Sequence, residues 1–414
     1  VSADLGTGRE PGRRRRARHS RAAALAAAAA VLAATALAAC GTTEARFPSE
    51  IAVSPVATPR PSPDVTITGS ARVPGGGTGT APGSLAAGGT PRAQTCADGR
   101  PVRWSPAPPA SMPPPGAFPA GSAMAEIHSR GYLTVAITTD SPPAGSMNWP
   151  DLELVGFDVD IARGVAAALF GDDDPGRVRF RPVTTGDRGP LVNDPDSGID
   201  LVVATYTITC ERKADNPDTD DDGILFSGVY FESSFKLLVP RNAGLGSIGD
   251  LAGLTVCSTS GSTSERKVAD AARRALAAGS PPLTVTVRPR AADCLVAVQQ
   301  GEADAVATDD VILAGMAARD DYLMVDPGAF DEAFTTPAEQ ADLAEPYGVA
   351  LRRSGTGVAA TDAARDDEFV RFVNGALRDM MRDGRWATSY RTWFEEFLGP
   401  RASPLEENPV WPEV

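Results

Sequence analysis

Histidine is almost missing from this 414-residue chain, which contains only His19 and His128, and lysine occurs only at Lys213, Lys236 and Lys267. Its five cysteines form no C-x-x-C pair, and no G-x-S-x-G segment occurs. A zinc site made of thiolate and imidazole ligands is therefore poorly supplied, and a serine hydrolase would lack its nucleophile elbow. Acid/base catalysis would have to manage with one histidine beyond residue 40, outside every motif described below. After Cys40 no apolar run reaches the length of a membrane-spanning helix.

The beginning of the chain reads as an export signal. Arg13, Arg14, Arg15 and Arg16 precede an alanine-rich apolar run that ends in Leu37-Ala38-Ala39-Cys40-Gly41. A basic region, a short apolar core and a small-residue cleavage site are its three parts. Cysteine at the cut points to a lipoprotein signal over 1–39 with Cys40 acylated; an ordinary signal peptide or uncleaved anchor is the alternative. Residues 1–12 read as an extension from a misplaced start. Removing residues 1–39 takes away seven Arg and two acidic residues and leaves 32 basic and 51 acidic groups, a net charge of −19. Such a chain is repelled by nucleic acid and by anionic lipid, so attachment to a membrane falls to the lipid.

Residues 40–120 are rich in Pro, Gly, Thr and Ala, as in Pro74-Gly75-Gly76-Gly77 and Pro113-Pro114-Pro115. They read as a disordered tether, with Cys96 and Trp104 hinting that its end is pinned to the body. From Ala123 onward strands and helices alternate. A helix ends at Gly131, Tyr132–Thr139 is a strand, Gly156-Phe157-Asp158 opens a helix with Asp158 as its cap, and Val178–Val183 is a strand. Ile199–Val203 reads as a buried parallel strand that continues into Thr205, Thr207, Cys210 and Arg212. The same order returns from Leu254 to Asp309, so two similar α/β lobes with a cleft between them are predicted. Two amphipathic helices close the chain, one from Phe369 to Met381 and one from Trp386 to Phe397, with Gly384 between them.

Ligands of open α/β sheets lie beyond the carboxyl ends of the strands. Arg212 stands there, with a guanidinium shaped to fit a carboxylate, and so do Thr205 and Thr207, whose hydroxyls can accept from an ammonium group. That is the chemistry of holding a free amino acid.

Gly156-Phe157-Asp158-Val159-Asp160, the Thr205–Arg212 segment, Ser260-Gly261-Ser262-Thr263, Ala303–Val306 with Asp309, Pro346–Val349 and Asp383–Phe394 occur in an order that resembles family 3 extracellular solute-binding proteins over about residues 123–398. Within that family the chain is most similar to actinobacterial glutamine- and glutamate-binding lipoproteins. The resemblance implies a type II periplasmic-binding-protein fold: lobe 1 at 121–230 and 345–400, lobe 2 at 231–344, crossings near Tyr230–Ser234 and Glu345–Gly348, and a tail at 401–414. It implies that Arg212 holds the α-carboxylate with backbone N–H groups of Ser262 and Thr263. Asp309 would hold the α-ammonium, with Asp310 as the competing candidate, aided by Thr207 and the Thr205 carbonyl. Phe157 would wall the pocket. Thr138 and Thr259 stand where relatives carry side-chain-selecting residues, no cation is evident there, and Asp140 is close enough to read an amide, with the loop Ser141 to Asn148 as the other candidate selector. Glutamine or asparagine is therefore favoured, with glutamate or aspartate as the alternative. Cys257–Cys294 follows from the related group and leaves Cys96–Cys210.

The implied role is delivery to an ABC importer by a monomer without cofactor or resident metal. Signalling to a membrane sensor is the alternative, and a small-carboxylate dehydratase is the enzymatic one. Asp218-Thr219-Asp220-Asp221-Asp222-Gly223 matches the first half of a calcium loop, but the twelfth position is Val229, which favours a solvated acidic insertion.

Overall fold

The computed structural model describes residues 65–66, 95–214, 223–243, 252–277, 279, 281, 283–326, 343–353 and 360–407. All of them belong to the unit Pro61–Val414. The signal segment, Cys40, most of the tether and nearly all of the acidic 218–223 stretch lie outside the described residues.

Helix α1 (Ala123–Arg130) starts at the Ser122 cap and stops at Gly131, which takes the left-handed φ of 86° that ends a helix. Then follow β2 (Leu133–Ile137), β3 (Asp140–Ser141), β4 (Gly145–Asn148), β5 (Glu153–Val155), α2 (Phe157–Phe170), β6 (Val178–Pro182), α3 (Arg188–Asn193), β7 (Leu201–Val202), α4 (Cys210–Lys213) and β8 (Leu225–Phe226). The order β6-β2-β7-β15-β8 makes a five-stranded sheet, with β15 at Ala350–Leu351, and β3-β4-β5 a small separate one.

Lobe 2 comprises β9 (Phe231–Pro240), β10 (Thr255–Thr259), α5 (Thr263–Ala277), β11 (Thr284–Arg288), α6 (Ala291–Gln299), β12 (Ala305–Asp309), α7 (Asp310–Ala317), β13 (Leu323–Val325) and β14 (Ala344–Tyr347). Its sheet runs β11-β10-β12-β9-β13, parallel among the first three. The backbone of β1 (Val65–Thr66) adds to its β11 edge. Helices α8 (Ala360–Arg382), α9 (Arg385–Trp393), α10 (Glu395–Leu398) and α11 (Pro404–Glu407) follow, and α8 and α9 pack on α2. No described helix is long and apolar enough to cross a membrane.

The chain passes between the sheets twice, at Ser227–Tyr230 and at Tyr347–Val349. The crossings are paired: β9 and β14 run antiparallel from Phe231↔Tyr347 to Ser234↔Ala344. Ser227 donates its backbone N–H to Val349 O, and its Oγ accepts from Val349 N, at 2.9 Å each.

Four expectations need correction. The strand expected to continue from Ile199 is a ladder strand only at Leu201–Val202, because Thr205 turns left-handed with φ 45°. Asp158 is not a helix cap; Gly156 holds that position, and the Asp158 carboxylate is buried. The tether does not run to 120 as a disordered segment. Residues from about 95 lie on lobe 1, where Met112 and Phe118 pack against its core and the Ser105 hydroxyl donates to Phe226 O. A proline-rich segment with no helix of its own can still order when its carbonyls find donors. Asn374, Arg371 and Arg378 supply those donors to Pro106, Ala107 and Pro109. The tail also begins later than 401, because Ser403 is buried and Arg401 donates to Glu232 O.

Asn374 joins this segment to the first crossing. It is 0% exposed, accepts from Gly228 N at 2.7 Å and donates to Ser105 Oγ at 2.7 Å and Pro106 O at 2.6 Å. Asn374→Ala strands these buried groups and is expected to lower unfolding free energy by about 2–4 kcal/mol. Urea titration would show this as an earlier midpoint, and an unchanged midpoint would mean that the segment contributes nothing to the fold.

Candidate functional site

The site grows from the turn after β7. Thr205 holds its left-handed backbone because its N–H donates to Asp158 Oδ2 at 2.7 Å while its carbonyl accepts from Arg188 Nη1 at 3.2 Å. A β-branched residue in that region is strained, so these contacts offset a real cost. The turn aims Tyr206 inward beneath two cations. The Arg188 guanidinium carbon lies 4.1 Å from its ring centroid and that of Arg212 lies 4.4 Å from it. The chain then joins the second crossing: Ile208 N donates to Pro346 O, Gly348 N donates to Tyr206 O, and Thr207 bridges Tyr347.

Arg212 is carried by α4, whose Thr209 cap accepts the Arg212 N–H at 3.1 Å. Its side chain is only 4% exposed. Nη1 donates to Thr207 O at 2.8 Å within lobe 1, and Nη2 donates across the cleft to Gly261 O at 3.0 Å. Gly261 belongs to the Ser260–Thr263 turn, where Ser262 Oγ accepts from Glu265 N and so caps α5. The cleft arginine and the expected anion-binding turn are thus brought together.

Asp309 ends β12, where Tyr347 donates its hydroxyl to Oδ2 at 2.5 Å. Burial, followed by the neighbouring Glu345 carboxylate, pushes its pKa up to about 8. Asp310 points elsewhere. It accepts from Ser233 Oγ, Ser234 N and its own helix at Val311 N, and burial raises its pKa as well. Glu345 is fully buried, takes the Lys267 ammonium at 2.5 Å and accepts from Thr263 Oγ1 at 2.9 Å and 3.0 Å. Arg212, Thr207, Tyr347 and Asp309 therefore form one connected path from the lobe 1 turn through the crossing to the end of a lobe 2 strand. Among the described residues, no three His, Cys, Asp or Glu side chains gather as metal ligands.

Other expected residues are placed differently. Phe157 is not a pocket wall. It is 0% exposed and sits among Tyr230, Phe231, Trp386 and Phe394, the last with its ring centroid at 4.6 Å. As the first residue of α2 it points under the terminal helices, where burial of an aromatic ring is most favourable. The Thr205 carbonyl is taken by Arg188, and the Thr263 hydroxyl by Glu345. Thr138 is buried with its hydroxyl on Ser141 Oγ at 3.3 Å, and Thr259 is buried at the end of β10. Asp140 reaches lobe 2, where its Oδ2 accepts from Ala292 N at 3.4 Å.

Two glycines let the lobes meet. A Cβ on Gly261 would stand 2.7 Å from Gly186 Cα, and one on Gly315 would stand 1.9 Å from Pro142 O. The sequence did not show these contacts, nor Arg188, nor the buried roles of Asp158, Tyr206 and Glu345, each of which lies in a segment described above. Tyr347 lies in the Pro346–Val349 motif, and Lys267 is one of three lysines, which in an acidic chain is a usable signal.

The two disulfides are Cys96–Cys210, with Cα atoms 5.2 Å apart, and Cys257–Cys294, at 5.4 Å. Two cavities lie on lobe 1, one of about 570 Å³ between α2 and α9 and one of about 580 Å³ behind α4.

A family model of bacterial extracellular solute-binding proteins, family 3, matches residues 133–396. The ABC transporter glutamine-binding protein GlnH of Bacillus subtilis is 30% identical over 274 residues, covering 66% of this chain and 85% of that protein. The glutamate-binding protein GluB of Corynebacterium efficiens is 28% identical, over 69% of this chain and 85% of its own. Among solved structures, an ancestral amino acid-binding protein described as a precursor of cyclohexadienyl dehydratase superposes with a TM-score of 0.51 at 26% identity, covering 66% of this chain and 100% of that one.

The raised pKa of Asp309 has a defined sign. Folded molecules keep a proton that unfolded chains release between about pH 4 and pH 8, so stability falls as pH rises through that window. Asp158, pushed up to about 7 chiefly by burial, adds to the fall at its lower end. Asp309→Asn is expected to flatten the fall and raise the thermal midpoint at pH 8 while leaving it unchanged near pH 4. Parallel curves for the two proteins across that range would contradict the assignment.

Proposed function

The chain belongs to the bacterial extracellular solute-binding proteins of family 3, and on that premise we propose that it binds a polar amino acid between its lobes and delivers it to an ABC importer. The observation that carries this reading is the Arg212 guanidinium, buried on Tyr206 with Nη2 facing the Gly261 turn. An amino acid carboxylate entering there would meet a planar guanidinium already oriented by stacking and would share or replace its contacts with the Thr207 and Gly261 carbonyls. Its ammonium group then faces Asp309, the carboxylate that Tyr347 orients from the crossing. One ligand thus contacts both lobes, and its preference for the closed arrangement is what drives closure.

Glutamine is the favoured ligand. Lys267 is held by Glu345, Lys213 donates to the carbonyls of Val102 and Trp104, and Arg188 donates to those of Thr185, Ala204 and Thr205. An acidic side chain would meet carboxylates and hydroxyls, whereas an amide can donate to them. Two relatives named as glutamine-binding proteins support the same choice. The Leu37-Ala38-Ala39-Cys40-Gly41 segment supports acylation of Cys40 and tethering at the outer face of the cell membrane.

Micromolar affinity corresponds to about −8 kcal/mol. Arg212→Ala leaves a buried ligand carboxylate unpaired and is expected to cost on the order of 3–5 kcal/mol, a loss of more than about 100-fold. Calorimetry with the twenty amino acids on both proteins tests this, and near-native affinity in the variant would sink the proposal.

Closure has its own test. In Gly315→Ala the new methyl group collides with the Pro142 carbonyl only when the lobes meet, so the fold is expected to survive while affinity falls about tenfold or more. Small-angle scattering should then show that ligand compacts the native protein and not the variant. Equal compaction of both would refute the close approach.

A further inference from the structure

The two disulfides differ in what surrounds them. Cys257 and Cys294 are both 0% exposed in the core of lobe 2. Cys96 and Cys210 are only half-buried and line the cavity of about 580 Å³ behind α4, which Lys213, Arg100 and Trp104 line with them. Cys210 opens the single helical turn whose third residue is Arg212.

The segment that Cys96 brings to this turn holds it at a second point. Lys213 Nζ donates to Val102 O at 2.9 Å and to Trp104 O at 2.6 Å. One residue along from Val102, Arg103 grips the crossing strand β9 through both oxygens of Glu232, at 2.5 Å and 3.1 Å. Residues 96–105 therefore form a strap from the arginine-bearing turn to the strand on which the lobes pivot. The family match begins at 133, after this strap.

We propose that Cys96–Cys210 is an exchangeable disulfide through which an external dithiol sets how firmly Arg212 is held for its ligand. A thiolate of the dithiol attacks one sulfur of the bond, Cys96 or Cys210 leaves as a thiolate, and the second thiol of the reagent resolves the mixed disulfide. The protein gains two thiols and two electrons, and the reagent becomes a disulfide. The cavity gives the attacking thiolate an approach that the lobe 2 bond lacks, and the Lys213 ammonium, a cation on the same turn, favours thiolate at the site. Burial lowers the lysine pKa to about 8, so at neutral pH it still carries its charge in most molecules. With the bond open, α4 keeps its lysine contacts but loses its covalent hold, and Arg212 has to be ordered again at each binding event. Cys96 and Cys210 are thus positioning residues that act through Arg212.

The inference rests on the amino acid-binding reading, and its test separates the two. The oxidised full-length protein is treated with graded dithiothreitol, alkylated and peptide-mapped, and glutamine affinity is measured before reduction, after it and after reoxidation. Cys96 and Cys210 are expected to be alkylated well before Cys257 and Cys294. The glutamine Kd should rise about 3- to 10-fold on reduction and return on reoxidation. In Arg212→Lys, whose ammonium is not held by stacking, reduction should leave the weaker Kd unchanged.

Simultaneous alkylation of both pairs would overturn exchangeability. An unaltered Kd, or the same change in Arg212→Lys, would overturn the route through Arg212 and leave a general stabilising bond. If the oxidised protein binds no polar amino acid, the functional reading fails, and with it the route through Arg212, while the alkylation order still decides exchangeability.

Discussion

Tyr347 occupies the point where both lobes, the crossing and the site meet. Its backbone pairs with Phe231 of the other crossing strand and bridges to Thr207 of the lobe 1 turn, and its hydroxyl reaches Asp309 at the end of a lobe 2 strand. An antiparallel pair of crossing strands can twist without losing its hydrogen bonds, so the lobes can change their angle while the residues on the axis stay put. The elements beside that axis need to be rigid, and the ring cluster of Phe157, Tyr230, Phe231, Trp386 and Phe394 supplies this on the lobe 1 side. Its members are almost entirely buried.

Charge is managed around the same axis. Asp158, Asp309 and Asp310 are buried with hydrogen bonds to the crossing segments, Glu345 lies on one of them, and the described ammonium that meets this group is Lys267. Burying carboxylates is costly unless each finds donors. Tyrosine and serine hydroxyls and backbone N–H groups supply most of them here. Asp309 is buried beside Glu345, and burial followed by that carboxylate pushes its pKa up to about 8. Asp309 thus keeps its proton at neutral pH, and a cation beside it would favour the ionised form.

Much of this could be read from residue order. Gly131 and Gly384 end their helices in the left-handed conformation that their positions suggested. The alternation of strands and helices gave two α/β lobes, with Arg212 on the helical turn after β7 and Asp309 at the end of β12. Phe157 was misassigned because a motif records that a residue recurs, not which way its side chain faces. Thr205 was legible as a polar residue after a strand, but its positive φ was not, since it depends on Asp158, 47 positions earlier in the chain. Residues 96–109 were read as part of the tether because their own composition offers no core, and their order comes from Lys213, Asn374, Arg371 and Arg378.

Local sequence determined what depends on neighbours along the chain: element type, helix ends, the acidic charge balance and the chemical inventory of the site. These follow from backbone sterics, periodic burial and side-chain chemistry, which act over a few residues. Tertiary structure alone decided which polar groups face one another across the cleft. It set Arg212 between Tyr206 and Gly261, gave Thr263 to Glu345 and left Asp309 to Tyr347. Those pairings arise from desolvation, whose cost is fixed by everything packed around a group, and residues distant in sequence do that packing.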